Sequence, residues 1–141
     1  MKQQNNGNHS RLVLGYHGIL FIIVLALFVG AVRNLITTED ISYEAFLLVL
    51  IPIILMLMMY YIRAFALKAQ DRAIRAEEKL RYFILTGKPM SDKVTTRQII
   101  GLRFASDEEF VVLVDRAIKE NLSEKEIKSS ISNWKPDTYR V

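Results

Sequence analysis

Two long stretches without a charged residue dominate the first half of the chain. They cover residues 12–32 and 45–62, and an arginine follows each of them, Arg33 and Arg63. As helices they rise about 31 Å and about 27 Å, which is close to the hydrocarbon thickness of a bilayer. The pattern predicts two membrane-spanning helices, with a bend at Pro52 because a proline removes one helical hydrogen bond.

The first stretch has a second interpretation, as a cleaved signal peptide. Val29, Gly30 and Ala31 form a tolerable cleavage pattern after an apolar run. Two features favour a membrane span instead: the run is longer than a signal core of about 7–15 residues, and a second span follows closely. A mature chain that begins near Val32 is the alternative.

Charged residues are distributed unevenly around the two spans. The segment between them, residues 33–44, carries Glu39, Asp40 and Glu44. The chain after the second span is rich in basic residues, namely Arg63, Lys68, Arg72, Arg75, Lys79 and Arg81. Because basic residues favour the cytoplasmic side of a membrane, we expect both termini, including residues 1–11, in the cytoplasm. In a bacterium the chain would lie in the inner membrane, with the segment 33–44 as a periplasmic loop.

Helix-forming residues continue beyond the second span, without a glycine or proline before Gly87. Apolar residues recur there at alternating spacings of four and three, as in a helix that packs along one side. This apolar seam comprises Ile62, Ala66, Ala69, Ala73, Ala76, Leu80 and Phe83. Gly87 can adopt the left-handed conformation that ends a helix, and Pro89 cannot continue one. We therefore expect the second span to continue as a cytoplasmic helix over residues 63–87.

The apolar seam is the best candidate for an interaction surface. Its small alanines allow another helix to approach, either from a partner protein or from a second copy of the chain. Alternatively, the seam packs against the later helices of its own tail. Arginines beside the seam attract anionic lipid headgroups, although basic residues at this position also follow from topology alone. The candidate residues are Ala69, Ala73, Ala76 and Leu80 on the seam, with Arg72, Arg75 and Arg81 beside it.

Three capping boxes divide the rest of the tail into helices. In each, a serine or threonine is followed three residues later by glutamine or glutamate, which marks a helix start. The pairs are Thr95 with Gln98, Ser106 with Glu109, and Ser123 with Glu126. They predict helices over residues 96–104, 107–120 and 124–133, which form a small module within residues 90–141. The predicted fold class is an all-α membrane protein: a transmembrane hairpin, a second helix that continues into the cytoplasm, and a three-helix tail.

The composition argues against most kinds of catalysis and cofactor binding. The 141 residues include no cysteine and only two histidines, His9 and His17, which excludes thiolate metal sites and cysteine nucleophiles. We interpret His17, early in the first span, as a polar side chain near the membrane interface rather than a haem or metal ligand. Neither span contains Asp, Glu, Lys or Arg, which argues against an independent transporter. We expect no cofactor, no metal, no catalytic residue and no small-molecule substrate.

The net charge of +4 is compatible with nucleic-acid binding. Two short helices joined by Ala105 and Ser106 invite comparison with a helix-turn-helix motif. The acidic residues Asp107, Glu108 and Glu109 would open its recognition helix, where they repel phosphates. We therefore expect no nucleic-acid partner.

The tail contains a distinctive combination of short motifs. They are Gln70-Asp71-Arg72, Arg75, Leu80-Arg81-Tyr82-Phe83, Leu85-Thr86-Gly87-Lys88, the LRFASDEE run that ends at Glu109, Ile127-Lys128 and Trp134. With these motifs the chain resembles a family of short, two-span bacterial membrane proteins of unknown function. The resemblance covers most of the tail and implies no activity.

The sequence therefore favours a non-enzymatic inner-membrane protein whose cytoplasmic tail is a docking module. The expected partners are membrane lipids and either another copy of the chain or a larger membrane protein. Two alternatives remain: an accessory subunit of a transporter or secretion complex, and a regulator that senses anionic lipid.

Overall fold

The structure is a computed structural model that describes residues 5, 12–39 and 42–137. The predictions for His9, Asp40 and most of the amino-terminal segment therefore lie outside the described residues. The described chain is all helical, with five α-helices and no strand, which confirms the predicted fold class. The helices are α1 (Phe21–Thr37), α2 (Tyr43–Thr86), α3 (Thr96–Leu102), α4 (Asp107–Lys119) and α5 (Glu124–Ser130).

The chain divides into two compact units. The hairpin unit is Arg11–Ala66, and the tail unit includes Leu67–Val141. Two helical stretches, Leu14–Thr37 and Tyr43–Thr86, are long and apolar enough to cross a membrane. The second is one continuous helix through Pro52, which confirms that the predicted span continues into the tail.

The hairpin unit leaves most of its large apolar side chains exposed. Its buried residues are small and lie seven positions apart on each helix: Val24 and Ala31 on α1, Ala45 and Pro52 on α2. α1 continues five residues beyond the predicted end of the span, to Thr37. Polar residues are tolerated there because the Thr37 hydroxyl donates to the carbonyl of Arg33 at 2.8 Å.

The first helical stretch opens with a π-helical segment, Leu14–Leu20, which the hydrophobic pattern does not reveal. Within it, the Tyr16 hydroxyl donates a hydrogen bond to the backbone carbonyl of Met59 on α2. His17 makes a local contact instead, because the backbone N–H of Val13 donates to its Nδ1 at 3.2 Å. The two neighbours thus differ: Tyr16 joins the helices of the hairpin, and His17 caps its own turn.

Capping begins two of the three tail helices as predicted. In α3 the Thr95 hydroxyl accepts from the N–H of Gln98, and in α5 the Ser123 hydroxyl accepts from the N–H of Glu126. The prediction of a capping box at Ser106 and Glu109 is wrong, because the Ser106 side chain makes no cap hydrogen bond to α4. Glu109 is used elsewhere: its carboxylate accepts the N–H groups of Ser132 and Asn133 at 3.1 and 3.0 Å.

The tail helices are shorter than predicted: α4 ends one residue early, and α3 and α5 end two and three residues early. Phe104 lies outside α3, and residues 131–133 lie outside α5. The chain after α5 turns back instead, and Lys135 donates its N–H to the carbonyl of Phe104 at 2.7 Å. The ring of Trp134 stacks on Phe104 with centroids 4.6 Å apart. Tertiary pairing therefore overrides the helical pattern at both helix ends.

The core of the tail unit lies between α3, α4, α5 and one side of α2. Its buried residues include Ile74, Met90, Ile99, Leu102, Phe110, Val114 and Ile127. α3 and α5 approach closely at Gly101, where an added Cβ would lie 3.1 Å from the carbonyl oxygen of Glu124. Gly87 ends α2 at a φ of 68°, which confirms the predicted left-handed cap.

Candidate interaction surface

One side of α2 in the tail unit packs on the small helical module. Ile74 and Glu78 are buried there, and the ring of Tyr82 lies 6.4 Å from that of Phe110 on α4. The guanidinium of Arg81 lies over the same Phe110 ring, 4.2 Å from its centroid. We call this side of α2 the inner face; it explains why the helix and the module form one unit.

Arg81 is the main polar link of the inner face. Its Nε donates to Asp107 Oδ1 at 2.7 Å, its Nη1 to Glu78 Oε2 at 3.0 Å, and its Nη2 to the carbonyl of Ala105 at 2.7 Å. The side chain is only 12% exposed. Arg81 therefore does not share a lipid-facing surface with the other candidate arginines; the structure uses it inside the tail.

The two carboxylates around Arg81 respond to it differently. The hydrogen bond and positive charge of Arg81 lower the pKa of Asp107, which stands exposed at the start of α4. Burial raises the pKa of Glu78, although the Arg81 hydrogen bond opposes that effect. The link thus contains one carboxylate that is stabilised in its charged form and one that is not.

The opposite side of α2, its outer face, carries the apolar seam. Within the tail unit Ala69, Ala73, Ala76, Leu80 and Phe83 are all exposed. Leu80 and Phe83 expose 59% and 51% of their surface. The alternative prediction, that the seam packs against its own tail, is therefore wrong for these residues. The helix period explains the result, since Glu78 on the inner face is about 200° from both Ala76 and Leu80.

A groove runs beside the far end of the seam. Its walls include Lys79, Leu80, Phe83, Pro89 and Met90. The Lys79 ammonium pairs with Asp92 at 3.2 Å, which ties the loop after α2 to the helix. The exposed end of the seam is therefore flanked by a shallow, partly apolar depression.

The remaining candidates, Arg72 and Arg75, are exposed on α2. They lie only about 60° apart around the helix, because three residues correspond to about 300° of rotation. Their charges are therefore presented outward, unlike that of Arg81. Within the described residues no group of three or more His, Asp or Glu side chains could hold a metal ion.

A second cluster of the tail unit was missed by sequence reasoning. Arg103 lies over the Phe104 ring at 4.5 Å from its centroid and pairs with Asp137 at 3.3 Å. Together with the stacked Trp134, these contacts hold residues 132–137 against the α3–α4 connection. Two sequence features could have indicated this cluster: the single tryptophan of the chain and the Arg-Phe pair of the LRFASDEE motif.

The comparison with family models decides the identity of the chain. A model described as a family of unknown function, DUF6526, matches residues 1–141. The chain belongs to this family. No curated protein and no solved structure matches it.

Some of the motif residues quoted from the sequence lie in these two clusters. Arg81 and Asp107 form the link between α2 and α4, whereas Arg103, Phe104 and Trp134 form the second cluster. In this DUF6526 member, these five motif residues therefore stabilise the fold of the tail. The exposed seam is a separate feature of the same helix.

Proposed function

We propose that this chain is a two-span membrane protein whose tail is a non-enzymatic docking module at the membrane surface. The observation that carries the proposal is the two-sided nature of α2. Its inner face is occupied by the module, and its outer face leaves the apolar seam exposed. Both termini are proposed to lie in the cytoplasm, as the basic residues after the second span favour.

The exposure of the hairpin unit supports insertion in a membrane. Large apolar residues such as Phe21, Ile22, Leu57 and Ile62 are about half exposed. A soluble protein rarely leaves so continuous an apolar surface in contact with water. Apart from the hydrogen bond that Pro52 removes, a helix satisfies its backbone groups internally, as a lipid environment requires.

The outer face supports docking through a helix rather than through lipid headgroups. Arg81, which sequence reasoning placed in the basic patch, is engaged inside the tail, and Asp71 and Glu77 dilute the charge of Arg72 and Arg75. Small alanines followed by Leu80 and Phe83 instead provide a surface that a second helix can approach closely. An accessory role in a larger membrane complex would use this same surface.

The test is the size of the complex that the full chain forms after crosslinking in cells and purification in mild detergent. Ala73→Glu places a charge on the seam and should reduce the complex to the size of a single chain, because burial of an unpaired charge is costly. Arg75→Glu, on an exposed position outside the seam, is the matched control and should leave the size unchanged. A single-chain wild type, or an Ala73→Glu variant with unchanged size, would contradict the proposal.

A further inference from the structure

We propose that the occupant of the outer face is a second copy of this chain, packed parallel and in register along α2. This inference rests on the proposed docking function and names its partner. The spacing of the exposed seam residues is that of a two-stranded coiled coil: Ala73 and Leu80 take the a positions, and Ala69, Ala76 and Phe83 take the d positions. The residues at the flanking e and g positions then specify the partner.

Charge complementarity favours a second copy. In this register Arg72 is a g residue and Glu77 is the e residue of the next heptad, and a parallel coiled coil brings such g and e residues of different chains together. Both side chains are exposed, and within the described residues neither has an ion-pair partner. A symmetric pair therefore forms two Arg72–Glu77 ion pairs, one on each side of the seam.

The next heptad is complementary in shape. Its g residue is Lys79, beside the groove formed with Pro89 and Met90, and its e residue is Ile84. Ile84 is 71% exposed within its own chain. In the parallel pair, Ile84 of the second copy lies next to this groove and covers its apolar surface.

The antiparallel arrangement is disfavoured by the same residues. An antiparallel coiled coil brings g residues next to g residues, which here are Arg72 and Lys79, so like charges would meet. Two copies inserted in one membrane with the same topology also present their α2 helices in the same direction. The charges at the g positions and the shared membrane topology therefore both favour the parallel pair.

The absence of cysteine from the sequence gives a direct test in the full chain in its own membrane. Ala73→Cys and Ala76→Cys place a thiol on the seam, and Arg75→Cys places one on an exposed position outside it. Under mild oxidation we expect disulfide-linked dimers from the two seam variants, formed at least about tenfold faster than from Arg75→Cys, because pre-alignment replaces random collision.

Charge exchange tests the register. In the Ala73→Cys background, Arg72→Glu and Glu77→Arg should each lower the rate of dimer formation roughly three- to tenfold, because each creates like-charge pairs. The double exchange should restore the rate. Equal rates for Ala73→Cys and Arg75→Cys, or a double exchange without recovery, would overturn the inference.

A further outcome separates this inference from the proposed function. If Ala73→Cys forms no dimer with itself while a photoreactive group at position 73 links the chain to a different protein, the second copy is excluded and docking survives. If neither reaction occurs and complex size is unaffected by Ala73→Glu, both proposals fail.

Discussion

Gln98 contributes both to the cap of its own helix and to contacts with a neighbouring helix. The sequence assigns it to a capping box, and its Oε1 indeed accepts from the N–H of Thr95 at 2.9 Å. Its Nε2 also donates to the carbonyls of Ala117 and Leu122, at 3.1 and 3.0 Å, which lie at the end of α4 and in the following loop. A capping motif cannot reveal these partners, because they come from residues distant in sequence.

Replacement of Gln98 should therefore destabilise the tail. Gln98→Met keeps the volume but leaves two carbonyls without their donor, and we expect a loss of about 2 kcal/mol in the free energy of unfolding. Arg97→Met, on an exposed neighbouring position of α3, introduces the same side chain and should change it by less than about 0.5 kcal/mol. Chemical denaturation of the fragment 63–141 measures both changes; similar values for the two variants would contradict the proposed role of Gln98.

The elements of the tail depend on the link between α2 and α4. Arg81, Glu78 and Asp107 form it, and the sequence did not predict it. Arg81 was assigned to a basic surface and Asp107 to a helix start, and Glu78 was given no role. Helix positions could be predicted from local caps and periodicity. The partners across helices could not, since they depend on how the helices pack.

The link predicts a pH dependence. Arg81 lowers the pKa of Asp107 in the folded state, so Asp107 contributes stability above its ordinary pKa of about 3.9 that is lost as the pH falls through the lowered value. Asp107→Asn should lower the Tm of the tail by roughly 2–5 °C at pH 7, as expected for a partly exposed ion pair. The difference from wild type should shrink towards pH 3.

Asp92 provides the control for this measurement. It also pairs with a basic residue, Lys79, but its side chain is 98% exposed. Asp92→Asn should leave the Tm nearly unchanged throughout the range. A constant Tm difference for Asp107→Asn from pH 7 to pH 3 would show that its effect is not electrostatic.

At the scale of the whole molecule, α2 belongs to both units of the chain. The sequence predicted that α2 continues into the tail from the absence of glycine and proline between the second span and Gly87, and it predicted the seam from the spacing of apolar residues. It left open which face the module covers, because both faces of α2 carry apolar residues. The structure assigns Ile74 and Tyr82 to the core of the tail, and leaves Leu80 and Phe83 exposed.

This assignment predicts that the module needs α2 to fold. The fragment 63–141 should unfold cooperatively on heating, because it contains Ile74, Tyr82 and the Arg81 link. The fragment 90–141 lacks these contacts and should unfold weakly or without a sharp transition, since domains of this size are marginal. Circular dichroism during heating compares them, and equally sharp transitions would mean that α2 is dispensable.

The most direct test of the central claim measures whether the seam is covered in the native membrane. In permeabilised cells, Ala73→Cys and Arg75→Cys would be labelled with a membrane-impermeant maleimide. Both positions are exposed in the single chain. If another helix covers the seam, the thiol at position 73 should react at least about tenfold more slowly than that at position 75. Equal labelling rates would contradict the claim that the outer face of α2 is an interface.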